Sequence, residues 1–444
     1  MIPELNLVLV AAGFGLAGTL LGALIALVPG LHVFNLAGLA LLLSTNGQWP
    51  YSQEALAFML VGLVVGWTVV NVVPSVFLFA PDEASAASVL PATKMLLKGQ
   101  GPEAALLIGA GTLGGLLSLV VLAPFLEDAL RPIRAIIQPH MAWMLVTVIT
   151  FMVLGEWPRI DNRIPTPLGR LAAAWVYLGA GLLAFVLSGL LGLVLMYRSP
   201  IALQFSFQNL LPAFVGLFAI PGLLQVMVYG TRLPPQQPAT LAGLAPVEWV
   251  RGTMTGMAGG LFASVLPVVS GGIGGLLAGH ASSKYDDRLF LISQGASKVG
   301  YYLGSLLLLF VPGVALVRGG MSWMLSSIYV PFGPRSYWLA VATVALCGAV
   351  ALVLLMGCVK VAGHAASRIN PKWLAAASLL MASAVTYGFT GSSGLAVMGV
   401  GAAIGLIPVL AGGRRMNCLG VILVPITLNI IGLGPDLARF LGLL

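Results

Sequence analysis

The sequence predicts an all-α polytopic membrane protein made of two structural repeats with broken or re-entrant helices. Three observations predict it. Of 444 residues, 59% are hydrophobic and 8% charged, against roughly 25% charged in ordinary soluble domains, so most of the chain has no water-facing surface to offer. Apolar runs such as 5–28, 171–196 and 337–356 reach the length of about 20 residues that crosses about 30 Å of hydrocarbon as helix. They are too long and too uniformly apolar for the alternating strands of a barrel, and backbone groups in lipid must be satisfied internally. Roughly eleven to thirteen membrane segments follow by length. The third observation is a recurrence of helix breakers. A shift of about 238 positions puts Gly18 on Gly256, Gly22 on Gly260 and Pro29 on Pro267, and without a gap also Gly62 on Gly300, Gly66 on Gly304 and Pro74 on Pro312. Such a recurrence marks an internal duplication. The halves are 1–230 and 247–444, joined by a linker at 231–246 that holds four prolines and no charge beyond Arg232. Transporters with broken helices mostly have inverted repeats, which is the orientation expected here.

In chain order, the start lacks the basic leader and cleavage site of a signal peptide, so the first span is expected to stay in the mature protein. It runs to Val28 and stops at Pro29-Gly30, and the apolar piece at 36–43 is too short to cross. A re-entrant hairpin is the economical reading, with the break turned inward because unpaired backbone is tolerated only inside protein or beside a cavity. The span at 55–79 carries Asn71 and Pro74, and the most polar short stretch of the first half follows it. Small residues at 109–115 let another helix approach closely in the span at 104–125. The span at 132–155 precedes a loop at 156–170 with three arginines and Glu156, read as aqueous, and beyond 171–196 the amides Gln204, Gln208 and Asn209 are expected to avoid lipid. In the second half, 251–266 leads to a run with five glycines at 267–283, a charged patch at 284–288 and a span at 289–310. Lys360, His364, Arg368, Lys372, Arg414 and Arg415 are cytoplasmic by the positive-inside rule. The net charge of +8 is therefore read as topology signals and not as a nucleic-acid surface. Cys347, Cys358 and Cys418 lie in or beside apolar spans without metal or disulfide spacing.

The two breaks are the main candidates for chemistry, because interrupted helices at corresponding places in two repeats point to a midplane binding site. The first offers Gly30, His32 and Asn35, and the second offers the amides and hydroxyl of Ser270, Gly271 and Gly272 as a nest for an anion. The bland alternative for each is a kink or turn used only for packing. Lys298 lies about ten positions inside an apolar segment, where an ionisable group is costly unless it faces a partner, cavity or substrate, though a deeper start to the segment would let it snorkel. Gln294, Lys298 and Tyr302 share one helical face, and Ser297 lies beside them. Asn71 and Ser75 are hydrogen-bonding candidates. Asp82 and Glu83 either bind a coupling cation or cap the next helix, and His32 is the candidate proton carrier. His140, His280 and His364 read as interfacial. No nucleotide-binding, metalloprotease or hydrolase motif occurs, so the chain is read as a non-enzyme without a cofactor beyond sodium or a proton as coupling ion.

Certain stretches match a known pattern. PGLH at 29–32, PSVFLFAPDE at 74–83, MLLKGQGPEAAL at 95–106 and DDRLFLISQGASK at 286–298 resemble the TctA-type permeases of tripartite tricarboxylate transporters, in their smaller branch. The resemblance implies a secondary transporter of an organic anion, a carboxylate, driven by a proton or sodium gradient in the inner (cytoplasmic) membrane. It also implies a small membrane subunit and a periplasmic binding protein as partners, and a homodimer is among the assemblies it allows. Two departures limit the transfer: LPVVSGG at 266–272 replaces a more typical PG-containing break, and His32 with Phe34 replaces small residues. The PVVSGG run is also similar to polyprenyl-phosphate transporters, so an anionic lipid carrier is the alternative substrate.

Overall fold

The computed structural model describes the chain apart from residues 1, 29–30, 158–165, 203–207, 231–232, 240, 242, 268 and 283–285. Every regular element among the described residues is a helix, with no strand among them. Seven helices are long and apolar enough to cross a membrane, or eight if the bent pair Arg415–Ile431 and Gly434–Phe440 makes one span. The number is lower than the apolar runs suggest because neighbouring runs join. Gly101–Leu154 is 54 residues long and Pro371–Ala411 is 41, so at 1.5 Å per residue each is long enough for about two crossings. The second is interrupted at Gly391, whose φ of 67° leaves the helical region. Large apolar side chains on these helices face outward, with Val353 63% and Leu410 76% exposed. Such surfaces are natural only against lipid, and the chain is a multi-pass membrane protein.

The backbone packs into two compact units, each drawn from both halves of the sequence. One comprises Met1–Ile136 with Val226–Ser378, the other Ile137–Gln225 with Leu379–Leu444.

In the first unit, α1 (Ile2–Ala26), α2 (Val33–Thr45), α3 (Gln53–Val70), α4 (Val72–Phe77) and α5 (Gly101–Leu122) come from the first half. The second half supplies α6 (Pro246–Val265), α7 (Gly271–Ser282), α8 (Asp287–Val299) and α9 (Gly333–Ala366). Glycines set the closest approaches. A Cβ on Gly18 or Gly22 would lie 2.0 and 2.2 Å from the carbonyl oxygens of Met59 and Leu63, so α1 and α3 touch backbone to backbone. The second half repeats the device, with Gly256 and Gly260 at 2.1 and 2.3 Å from the carbonyls of Ser293 and Ser297. The register differs by one helical turn from the ungapped shift, which would pair Gly256 with Ser297. Trp67 and Phe58 fill the core beside these contacts.

In the second unit, Pro167–Tyr197 packs on Gly420–Ile431, where Gly192 lies against the Val421 carbonyl. Glu156 is 8% exposed. Its Oε1 accepts from the Arg414 backbone N–H and from Asn417 Nδ2, both at 3.0 Å. Burial pushes its carboxyl above the ordinary range. The expected aqueous loop at 156–170 therefore begins with a buried acid, and most of its remainder lies outside the described residues. Gln208 is buried, and Asn209 Nδ2 donates to the Leu195 carbonyl, so these amides turn inward. Gln204 lies outside the described residues.

Candidate functional site

The first break delivers a histidine. His32 is the N-cap of α2, its Nδ1 accepting from the Phe34 N–H at 3.3 Å while its own N–H donates to Asn35 Oδ1 at 2.7 Å. This reciprocal cap fixes the ring. With Nδ1 accepting, the proton of the neutral ring is assigned to Nε2, which faces Glu83 Oε1 and the Tyr302 hydroxyl, each at 3.4 Å. Trp67 Nε1 donates to the Leu31 carbonyl at 3.1 Å, and the Trp67 and Phe34 rings each sit 4.3 Å from the imidazole, centroid to centroid. Asn35 thus positions His32. Gly30 lies outside the described residues.

The acids arrive on the turn after α4. Phe79 has φ 56°, the left-handed region that a bulky residue rarely adopts. The chain then presents Asp82 and Glu83, buried at 8% and 4% exposure. Asp82 Oδ1 accepts from the Ser85 N–H at 2.8 Å, so Asp82 closes its own turn while Oδ2 is left for other partners. The sequence posed cap and site as alternatives, and the geometry gives Asp82 both a turn-closing bond and an ionic one.

The cation comes from α8. Lys298 is 4% exposed and does not snorkel. Its Nζ donates to Asn71 Oδ1 at 2.8 Å and Ser85 Oγ at 3.0 Å, and pairs with Asp82 Oδ2 at 3.1 Å. An ammonium has three N–H groups, so these three acceptors satisfy it. One turn on, Tyr302 lies in a π-helical turn, Gly300–Gly304, a distortion common at functional sites. Its hydroxyl lies 2.5 Å from Glu83 Oε1 and 3.1 Å from Asp82 Oδ2, and its single proton goes to the closer acid. Ser75 Oγ completes the amide side, donating to the Asn71 carbonyl at 2.8 Å.

The second break acts through its backbone. Ser270 Oγ accepts from the Ile273 N–H and donates to the Glu83 carbonyl, both at 3.4 Å. A Cβ on Gly272 would sit 2.8 Å from the Ala84 carbonyl, so only glycine lets the acidic turn rest on the start of α7. Ser297 Oγ donates to the Gly271 carbonyl at 2.7 Å and ties α8 to this break. Gln294, one turn before Lys298, is 3% exposed, and neither atom of its amide has a hydrogen-bond partner. It lies against Gly275.

Of the residues singled out from sequence, the structure brings His32, Asn71, Asp82, Glu83 and Lys298 into one cluster. Ligating atoms of His32, Asp82 and Glu83 lie within 4.8 Å of one another. Asn35, Ser75, Ser270, Gly271, Gly272 and Ser297 surround it as positioning groups, while Gln294 stands apart. Sequence reasoning missed Ser85 and Trp67. Trp67 stands four residues before Asn71 and Ser85 three after Asp82, and those spacings were the only signal. The buried cluster thus sets one ammonium, Lys298, against two carboxyl groups, with the His32 imidazole beside Glu83.

A family model described as the tripartite tricarboxylate transporter TctA family matches residues 13–420. An uncharacterised protein of Methanocaldococcus jannaschii is 24% identical over 375 residues, 83% of this chain and 85% of that relative. No solved structure matches the chain. The polyprenyl-phosphate alternative gains no support from these likenesses. A buried ionic cluster at two helix breaks, within a helical membrane protein matched along nearly its whole length, identifies the chain: it belongs to the tripartite tricarboxylate transporter TctA family.

Proposed function

We propose that the chain is the permease of a secondary transporter for an organic anion, a carboxylate, moved by a proton or sodium gradient across the inner membrane. The observation that supports this reading is the Lys298–Asp82 ion pair buried beside Glu83 and His32. An anion has no reason to enter beside two carboxylates whose only fixed counter-charge, Lys298, is already engaged. Once the cluster gains a positive charge, Lys298 can turn one N–H to the substrate while its ammonium stays seated at Asp82. Entry of the anion then depends on prior arrival of a cation, which is the logic of coupling. In this scheme His32, Asp82 and Glu83 are the ion-coupling groups. Lys298, Asn71, Ser75 and the start of α7 at Ser270, Gly271 and Gly272 receive the carboxylate, with Asn35, Gln294 and Ser297 at its margins.

The repeated glycine contacts of α1 on α3 and α6 on α8 support two structural repeats, proposed as halves at 1–230 and 247–444 about the linker at 231–246, and inverted as broken-helix transporters mostly are. Membership of a tripartite family supports a small membrane subunit and a periplasmic binding protein as partners.

The test is thermal unfolding of the purified protein with citrate and with other di- and tricarboxylates, at two pH values and with and without sodium. A ligand at 100 times its Kd stabilises the native state by about 2.7 kcal/mol. A rise in Tm with a carboxylate, lost in Lys298→Ala, is the expected result. Absence of a rise with every carboxylate under every ionic condition overturns the reading.

A further inference from the structure

The Lys298 ammonium occupies a built cation site. Its three oxygens are an amide carbonyl (Asn71 Oδ1), a hydroxyl (Ser85 Oγ) and a carboxylate (Asp82 Oδ2). That is the donor set hard metal cations take. The fourth side belongs to Trp67, whose ring centroid lies 5.0 Å from Nζ, a distance suited to a cation over an aromatic face. The spacing is that of a seated ammonium. The oxygens stand 2.8–3.1 Å from Nζ, the range of charge-assisted N–H···O bonds, whereas hard metal ions hold oxygen at roughly 2.0–2.6 Å. The other acid oxygens with partners also face hydrogen-bond donors: Asp82 Oδ1 takes the Ser85 N–H, and Glu83 Oε1 takes the Tyr302 hydroxyl with His32 Nε2 beside it.

We propose that Lys298 is a tethered cation standing where a sodium ion would bind, so that this cluster takes up no metal ion during transport. The inference rests on the transporter reading above and deepens it, since it removes sodium as the ion coupled at this site. It also assigns Lys298→Met a specific consequence. Deleting the ammonium leaves Asp82, Asn71 and Ser85 as an empty oxygen cage with an unbalanced buried carboxylate, which sodium is then able to enter.

The experiment compares Tm in sodium chloride and in choline chloride at equal ionic strength, without carboxylate. Wild-type protein is expected to show the same Tm in both salts. Lys298→Met is expected to lose Tm in choline and to recover several degrees specifically in sodium, and adding Asp82→Asn to that variant is expected to abolish the sodium response. A sodium-specific rise in the wild type that disappears in Asp82→Asn overturns the proposal, as does a folded Lys298→Met variant indifferent to sodium. If Lys298→Met does not fold, the wild-type and Asp82→Asn pair still decides. Binding of carboxylate is read in separate scans, so its failure strikes the transporter reading and leaves the sodium result standing.

Discussion

The two helix breaks of the first unit sit on similar scaffolds and supply different chemistry. After α1 the chain offers a side chain: His32, capped by its own helix and stacked on Trp67, with Nε2 aimed at Glu83. After α6 it offers backbone: Ser270 caps the start of α7, and a Cβ on Gly272 has no room against the Glu83–Ala84 turn. The two members of a glycine-packed helix pair flank each break. The difference sets a side chain at the first break against a bed of amides and hydroxyls at the second, and the Asp82–Glu83 turn and Lys298 bring the two together.

The largest expected effect comes from the cluster on which both breaks converge. Lys298→Ala strands the buried carboxylate of Asp82 and should destabilise the protein by about 3–5 kcal/mol. The double variant with Asp82→Asn should regain more than half of that, as read by thermal unfolding of both. A loss below about 1 kcal/mol, the range of exposed pairs, would show that the two breaks do not share a buried ionic centre.

The scaffold comes next. Gly22→Ala and Gly260→Ala each force a methyl into a carbonyl 2.2–2.3 Å away and should each cost about 1–3 kcal/mol. Similar losses of Tm would sharpen the likeness of the two helix pairs, and a loss at one glycine alone would break it.

Smaller effects separate the breaks themselves. Ser270→Ala removes one cap, for about 1 kcal/mol, and should leave carboxylate affinity little changed. His32→Ala should cost a similar amount of stability through its own cap yet abolish the pH dependence of carboxylate binding, measured as Kd at two pH values. Equal retention of that dependence in both variants contradicts the division of labour. The smallest change in stability is expected at Gln294, whose amide is buried without partners. Gln294→Leu should lie within about 0.5–1 kcal/mol of wild type, because no hydrogen bond is lost, while weakening carboxylate binding if that amide meets substrate.

Much of this was legible in residue order. The apolar runs specified a helical membrane protein, the glycine and proline recurrence marked the two breaks, and an ionisable residue inside an apolar span drew attention to Lys298. His32 stood out as a histidine just beyond a proline-glycine stop. The partners were not legible, because Lys298 meets Asp82, Asn71 and Ser85 across more than 200 positions, and no local periodicity encodes such pairings. The one-turn slip between the helix pairs was hidden for a related reason: with glycine spaced every four residues, an ungapped shift and one slipped by a turn look alike. Apolar runs that continue into one another, as within Gly101–Leu154, appear separate when prolines and polar residues punctuate them.

The central claim is that the Lys298–Asp82 pair works in transport and does not merely hold the fold. Uptake of the carboxylate that binds best, in proteoliposomes containing wild type or the Lys298→Met/Asp82→Asn double variant, tests it most directly. A pair that works in transport requires a double variant that is folded, with near-native Tm, and inactive in uptake. A folded double variant transporting at the wild-type rate would contradict it and leave the pair a structural strut.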